Sequence, residues 1–131
     1  MTEQSKHLIL LTYGQEDGGA RATLAFALAV SLQAMNANVA IYLNEQAAIW
    51  AFKKATRSIS IPGFDSLETY LEIFQEAGGI LYACASCTAS LAENTESSHP
   101  YQGVSALHSG VIPAGIATLA SLILDRKVLS L

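Results

Sequence analysis

The sequence has little charge, only two cysteines, no basic cluster and no long apolar run. Charged residues make up 14% of the 131 positions, and the formal net charge is −4. A protein that binds nucleic acid is not expected, because no run of Lys and Arg is available to neutralise phosphates. The longest apolar stretch, LAFALAVSLQAM from Leu24 to Met35, is shorter than the roughly 20 residues that cross a bilayer. No membrane span is therefore predicted.

The first residues, MTEQSKH, are polar and lack the basic-then-apolar order of a secretory signal peptide. The only two cysteines are Cys84 and Cys87, in the spacing C-x-x-C. Without a signal peptide, such a pair fits a reducing compartment better than a structural disulfide. We therefore expect a cytoplasmic protein.

Apolar runs alternate with turns along the chain in the order that is typical of an α/β fold. Strands are predicted in HLILLTYG, ANVAIYLN, ILYAC, residues 109–113 and KVLSL. Helices are predicted in ARATLAFALAVSLQAMNAN, EQAAIWAFKKA, SLETYLEIFQEAGG, SCTASLAEN and AGIATLASLILDR. This alternation favours parallel pairing with helices on both faces of the sheet. We expect one domain, residues 1–131, folded as a three-layer α/β/α sandwich with a five-stranded, mostly parallel sheet.

The C-x-x-C pair falls where the third predicted strand meets the next helix. Ligands and chemistry collect at the carboxyl ends of strands in such sheets, and Cys84 stands at that end. The start of a helix favours a thiolate through its unpaired N–H groups and its dipole. With Ser86 as the helix cap, those N–H groups would lie near Cys84. Burial in apolar surroundings would instead make Cys84 an inert core residue.

Four chemical roles are open for the pair from the residues alone. A zinc site needs four ligands, and His99 and His108 do not stand at the spacing of a zinc finger, which leaves a site shared between subunits. A thioredoxin-like site is disfavoured, because the pair reads C-A-S-C and follows the third strand. A thiol that accepts sulfur as a persulfide and a redox-sensing dithiol both remain.

Four stretches carry a resemblance to a known family: LILLTYGQEDGGARATLAFALAVSLQAMNANVAIYLN, AGGILYACASC, LHSGVIPAGIATLASLI and the closing DRKVLSL. In their order and spacing they resemble the DsrE/DsrF/DsrH-like family of sulfur-relay proteins, which includes small proteins described as predicted peroxiredoxins. The resemblance implies an α/β sandwich that forms dimers, trimers or hexamers. It also implies persulfide transfer at a cysteine, which corresponds to Cys84, with Cys87 as a second cysteine.

The sequence thus predicts a small sulfur carrier in which Cys84 and Cys87 are the working residues, with sulfur donor and acceptor proteins as partners. No cofactor and no metal are expected. The alternatives are an oligomeric binding or scaffold module with buried cysteines and a dithiol redox protein.

Other residues with chemical potential have no recognisable motif around them. The loop GQEDGG lacks the residues of a phosphate-binding loop, and we expect it to cap a helix through Asp17 or Gly18 and to border the Cys84 site. Arg21 is the nearest candidate cation for a thiolate. His99 and His108 are candidate acid–base groups. Trp50 is expected in the core, with a subunit interface as the alternative.

Overall fold

The computed structural model describes residues 3–93 and 106–131, and within them the chain forms one five-stranded parallel sheet. The strands are β1 (Lys6–Leu11), β2 (Asn38–Leu43), β3 (Ile80–Cys84), β4 (Ile112–Ala114) and β5 (Lys127–Ser130). Their order across the sheet is β4-β3-β2-β1-β5, and every neighbouring pair is parallel. The predicted α/β fold is confirmed.

Helices alternate with these strands as the sequence pattern predicts. They are α1 (Ala20–Ala34), α2 (Lys53–Thr56), α3 (Leu67–Glu76), α4 (Ala85–Glu93) and α5 (Ile116–Asp125), with 3-10 turns at Gln15–Asp17 and Glu45–Ala51. No helix in the described ranges has the length and apolar character to cross a membrane.

Two buried clusters lie on opposite faces of the sheet, because successive strand residues point to opposite sides. The first face is covered by α1 and α3, which contribute residues such as Phe26, Leu71 and Phe74. The second cluster is smaller and takes Leu119 and Leu122 from α5; its other buried members are Leu8, Ala40, Tyr42, Cys84 and Ala114. Both cysteines therefore belong to the second face, where Cys87 packs against the cluster.

The segment EQAAIWAFKKA differs from the single helix that the sequence predicts. It forms the 3-10 turn Glu45–Ala51 and the single α-helical turn α2, separated by Phe52. Phe52 has an extended backbone and forms an antiparallel bridge with Leu107. Lys53 N–H donates to the carbonyl of Ala106 and His108 N–H to the carbonyl of Ala51, at 3.0 and 2.8 Å. This long-range pairing interrupts the helix.

The helix starts follow the predicted polar residues with small shifts. Gly19 precedes α1, and the Asp17 carboxylate accepts from the N–H groups of Gly19 and Arg21 at 3.1 and 3.0 Å. Asp17 lies two residues before the cap residue Gly19, and its carboxylate accepts from N–H groups at the start of α1. At α3 the cap is Ser66, whose hydroxyl accepts from Thr69 N–H at 3.2 Å.

Candidate functional site

Cys84 is the last residue of β3 and immediately precedes α4. Its strand lies between β2 and β4, and Cys84 itself pairs with Ala114 of β4. Its side chain belongs to the second buried cluster and the residue is 9% exposed. The thiol is thus held at the carboxyl end of the sheet, and little of the residue is exposed to solvent.

The sulfur of Cys84 occupies the position of a helix cap. Cys87 N–H points at Cys84 Sγ over 3.4 Å, which is the contact that a capping side chain makes with the third residue of a helix. Ser86 is the second residue of α4, so the prediction that Ser86 caps this helix is wrong. Its hydroxyl instead lies 3.4 Å from Cys84 Sγ. The helix starts one residue earlier than predicted. The thiol of Cys84, the last residue of β3, accepts from the first N–H groups of α4.

These contacts decide the direction in which the pKa of the Cys84 thiol shifts. Burial by itself raises the pKa, but the side-chain contacts with Cys87 and Ser86 and the backbone N–H groups of the same two residues outweigh it. The pKa of Cys84 is therefore lowered from its ordinary value. A lower pKa increases the fraction of thiolate, which is the nucleophilic form.

Cys87 has the opposite character. Burial raises its pKa, and so do the contact with the Cys84 side chain and the negative charge that Cys84 carries when ionised. A backbone contact from Glu45, in the turn after β2, works against this rise without reversing it. Cys84 therefore ionises first and Cys87 remains a thiol beside it.

Tyr42 is part of the site, and the sequence did not single it out. It lies in β2, is fully buried, and donates its hydroxyl to the carbonyl of Ala114 at 2.9 Å. Burial raises the pKa of Tyr42, and the negative charges of ionised Cys84 and Cys87 raise it further. The available signal was a single hydroxyl in the apolar strand NVAIYL, since a buried tyrosine usually has a hydrogen-bond partner.

The GQEDGG loop is separated from Cys84 by the strand order. This loop follows β1, and β2 lies between β1 and β3. The 3-10 turn Glu45–Ala51 contacts both the loop and α4, so the loop reaches the cysteine region through that turn. Arg21 is exposed and stacks on the Tyr13 ring, 3.8 Å from its centroid. The hydrogen bonds that lower the pKa of Cys84 come from Ser86 and Cys87, and no role for Arg21 follows from its position.

His108 belongs to a different part of the surface. Its Nε2 lies 2.9 Å from Thr56 Oγ1, and it borders a cavity of about 290 Å³ together with Lys53 and Glu68. Burial lowers the pKa of His108, the Glu68 charge opposes this, and Lys53 adds to it. His99 lies outside the described residues. Within the described ranges, no three His, Cys, Asp or Glu side chains are grouped in a way that suits a metal ion.

The family model described as the DsrE/DsrF-like family matches residues 6–131, nearly the whole chain. The chain belongs to the DsrE/DsrF-like family. No curated protein matches the sequence significantly.

Two solved structures show the same fold for this DsrE/DsrF-like chain. The YchN protein of E. coli superposes with a TM-score of 0.71 at 20% sequence identity, covering 98% of this chain and 100% of that one. A conserved protein of unknown function from Bacteroides thetaiotaomicron superposes with a TM-score of 0.55 at 14% identity, covering 95% and 94%. At these identities the likeness concerns the fold, and function must be argued from the site.

Proposed function

We propose that this DsrE/DsrF-like protein is a cytoplasmic sulfur carrier in which Cys84 accepts a sulfane sulfur as a persulfide and passes it on. The observation that carries the proposal is the placement of the Cys84 thiol at the carboxyl end of β3, hydrogen-bonded by Cys87 N–H and close to the Ser86 hydroxyl, contacts that lower its pKa. Family membership supports the same chemistry. The reducing cytoplasm suits it, because both thiols must start in the reduced state.

The loading step needs only a nucleophile and a persulfide donor. The Cys84 thiolate attacks the terminal sulfur of a donor persulfide, R–S–SH, and forms a new bond between Cys84 Sγ and that sulfur. The donor's S–S bond breaks, and the donor leaves as a thiolate that takes up a proton. A lowered thiol pKa favours this attack at neutral pH.

Two routes of discharge are open to the loaded site. An acceptor thiolate attacks the terminal sulfur and releases Cys84 as thiolate. Alternatively, Cys87 loses its proton and attacks Cys84 Sγ, which forms a Cys84–Cys87 disulfide and expels hydrosulfide; a small cytoplasmic thiol then reduces the disulfide. The Cys87 backbone N–H contact with Cys84 Sγ shows that the two residues adjoin, which the second route requires.

The test is a mass measurement on the reduced chain after exposure to glutathione persulfide and rapid desalting. We expect the wild-type protein to gain one dithiothreitol-sensitive sulfur atom, Cys84→Ser to gain none, and Cys87→Ser to retain it longer. An adduct that is absent from both the wild type and Cys87→Ser, or an equal adduct in Cys84→Ser, contradicts the proposal.

A dithiol redox role is the second candidate, and the contact between the two cysteines favours it over an inert module. It predicts that glutathione disulfide converts the pair into a Cys84–Cys87 disulfide while glutathione persulfide leaves no added sulfur. An oligomeric binding or scaffold module predicts that neither reagent reacts with the native chain, in keeping with the 9% exposure of Cys84.

We also propose that the chain forms a homo-oligomer through α5. Three large apolar side chains of this helix are exposed: Ile116 at 73%, Leu124 at 90% and Ile123 at 44%. An exposed group of large apolar side chains on one helix is unusual on a monomer and typical of an interface. Sedimentation velocity should give a dimer or larger assembly for the native chain and a smaller species for Leu124→Glu. A native monomer at micromolar concentration contradicts this, and Phe64→Glu, on another exposed apolar residue, serves as the matched control.

A further inference from the structure

Tyr42 crosses the strand that carries Cys84. Its ring starts on β2, and its hydroxyl ends at the carbonyl of Ala114 on β4, so the side chain spans β3 between them. Tyr42 pairs with Tyr82, two residues before Cys84, and Ala114 pairs with Cys84 itself. Residues two apart on a strand share a face, and Tyr42, Cys84 and Ala114 belong to one buried cluster. The phenol therefore runs directly beside the thiol.

The Tyr42 hydroxyl has one proton and more than one acceptor near it. In the neutral site the proton goes to the Ala114 carbonyl at 2.9 Å. An ionised sulfur beside the ring is a stronger acceptor, because hydrogen bonds to charged groups are about twice as strong as neutral ones. The pKa of Tyr42 is raised by burial, then by the charges of Cys84 and Cys87 and by a hydrogen bond to Cys84. The phenol thus keeps its proton when Cys84 loses its own.

We propose, building on the sulfur-carrier function, that Tyr42 is a positioning residue that switches its hydroxyl proton from the Ala114 carbonyl to Cys84 Sγ when that sulfur becomes anionic. The proton stays on the phenol throughout, so the switch is a change of hydrogen-bond acceptor and not a proton transfer. The same hydroxyl also ties Ala114 of β4 to β2 across β3, which holds these strand ends together while the charge on sulfur changes.

A purely structural tether is the competing explanation. In that case the hydroxyl holds β4 in place and has no effect on the charge state of the thiol. The two explanations differ in the pH profile of Cys84, since a tether alters stability and leaves the titration of the sulfur alone.

The experiment titrates the Cys84 thiolate by its ultraviolet absorbance in a Cys87→Ser background, so that one thiol is observed. We expect Tyr42→Phe to move the Cys84 midpoint to higher pH and to slow alkylation at neutral pH by about three- to tenfold. Tyr82→Phe, on the paired position, is the matched control and should leave both unchanged. An unshifted midpoint in Tyr42→Phe overturns the proposal and leaves only the tether.

A second replacement protects the test against loss of folding. Site-specific fluorotyrosine at position 42 keeps the ring and the hydroxyl, and its more acidic phenol is a better donor. The Cys84 midpoint should then move to lower pH, and a midpoint that stays in place overturns the proposal. These titrations contain no persulfide donor, so they test Tyr42 independently of sulfur uptake. If the Cys84 midpoint shifts but the chain takes up no sulfur in the mass measurement, the carrier function is rejected and Tyr42 is retained as a positioning residue.

Discussion

Iodoacetamide is expected to modify Cys84 first in the native protein at neutral pH, and Cys87 only at higher pH. The thiolate is the reacting form, and the pKa of Cys84 is lowered while that of Cys87 is raised. Once Cys84 is ionised, its charge further opposes loss of the proton from Cys87. Peptide mass mapping after brief labelling across a pH series gives the order of modification directly.

The single variants sharpen this prediction, because each thiol shifts the other. In Cys84→Ser, Cys87 loses the neighbouring sulfur that raises its pKa, so it should react at lower pH than in the wild type. In Cys87→Ala, Cys84 loses the side-chain contact that lowers its pKa, so it should react at higher pH than in the wild type. Cys87 reacting first, or titrations that are independent of the partner, would refute the assignment of Cys84 as the working thiol.

The same shifts fix the sign of the effect of pH on stability. The lowered pKa of Cys84 contributes stability that is present above the unfolded thiol pKa and is lost as pH falls through the folded value. The raised pKa of Cys87 contributes stability that is present below the unfolded pKa and is lost as pH rises through the folded value. At alkaline pH, ionisation of Cys84 therefore favours the folded state and ionisation of Cys87 disfavours it. In each single variant, the free energy of unfolding measured across a pH series should show the contribution of the remaining thiol alone.

The sequence pattern was sufficient for the fold because the strands are short, the three inner ones, β1, β2 and β3, are largely buried, and the turns between them are polar. ILYAC is the clearest case, since the strand Ile80–Cys84 has those bounds. EQAAIWAFKKA was predicted less well, because Phe52 pairs with Leu107, more than fifty positions away, and local propensity cannot register such a contact. Long-range pairing overrides helix propensity when a neighbouring segment supplies the hydrogen bonds.

For the site, sequence placed Cys84 correctly at a strand end but could not assemble its surroundings. Tyr42 shares a buried cluster with Cys84 and bonds to Ala114 because β2 and β4 both flank β3, and that order is not encoded in any local motif. The same fact separates the GQEDGG loop from Cys84, where proximity had been expected. Ser86 has the residue type of a helix cap, but the thiol of Cys84, two positions earlier, accepts the helix N–H group instead.

Trp50→Ala is expected to destabilise the fold by about 3–5 kcal/mol, as large aromatic truncations in cores do. Trp50 is 0% exposed, which confirms the predicted core position, and its Nε1–H donates to the carbonyl of Tyr13 at 2.9 Å. The variant leaves a large void in the first buried cluster, and it leaves the Tyr13 carbonyl without this donor. Urea unfolding followed by circular dichroism measures the loss, since the variant has no tryptophan fluorescence.

Two further variants separate the causes of this effect. Trp50→Phe keeps most of the ring volume and removes the donor, so it should cost less than Trp50→Ala but more than Phe64→Ala, which truncates an aromatic side chain that is 43% exposed. Trp50→Ala unfolding at the same urea midpoint as Phe64→Ala would show that Trp50 is not a core residue.

The Glu45–Ala51 turn also contacts α4, and a Glu45 backbone group contacts Cys87. Replacement of Trp50 by Phe should therefore change the reactivity of Cys87 while the sheet remains folded. The Glu45–Ala51 turn would then connect the core of the first face with the cysteine site.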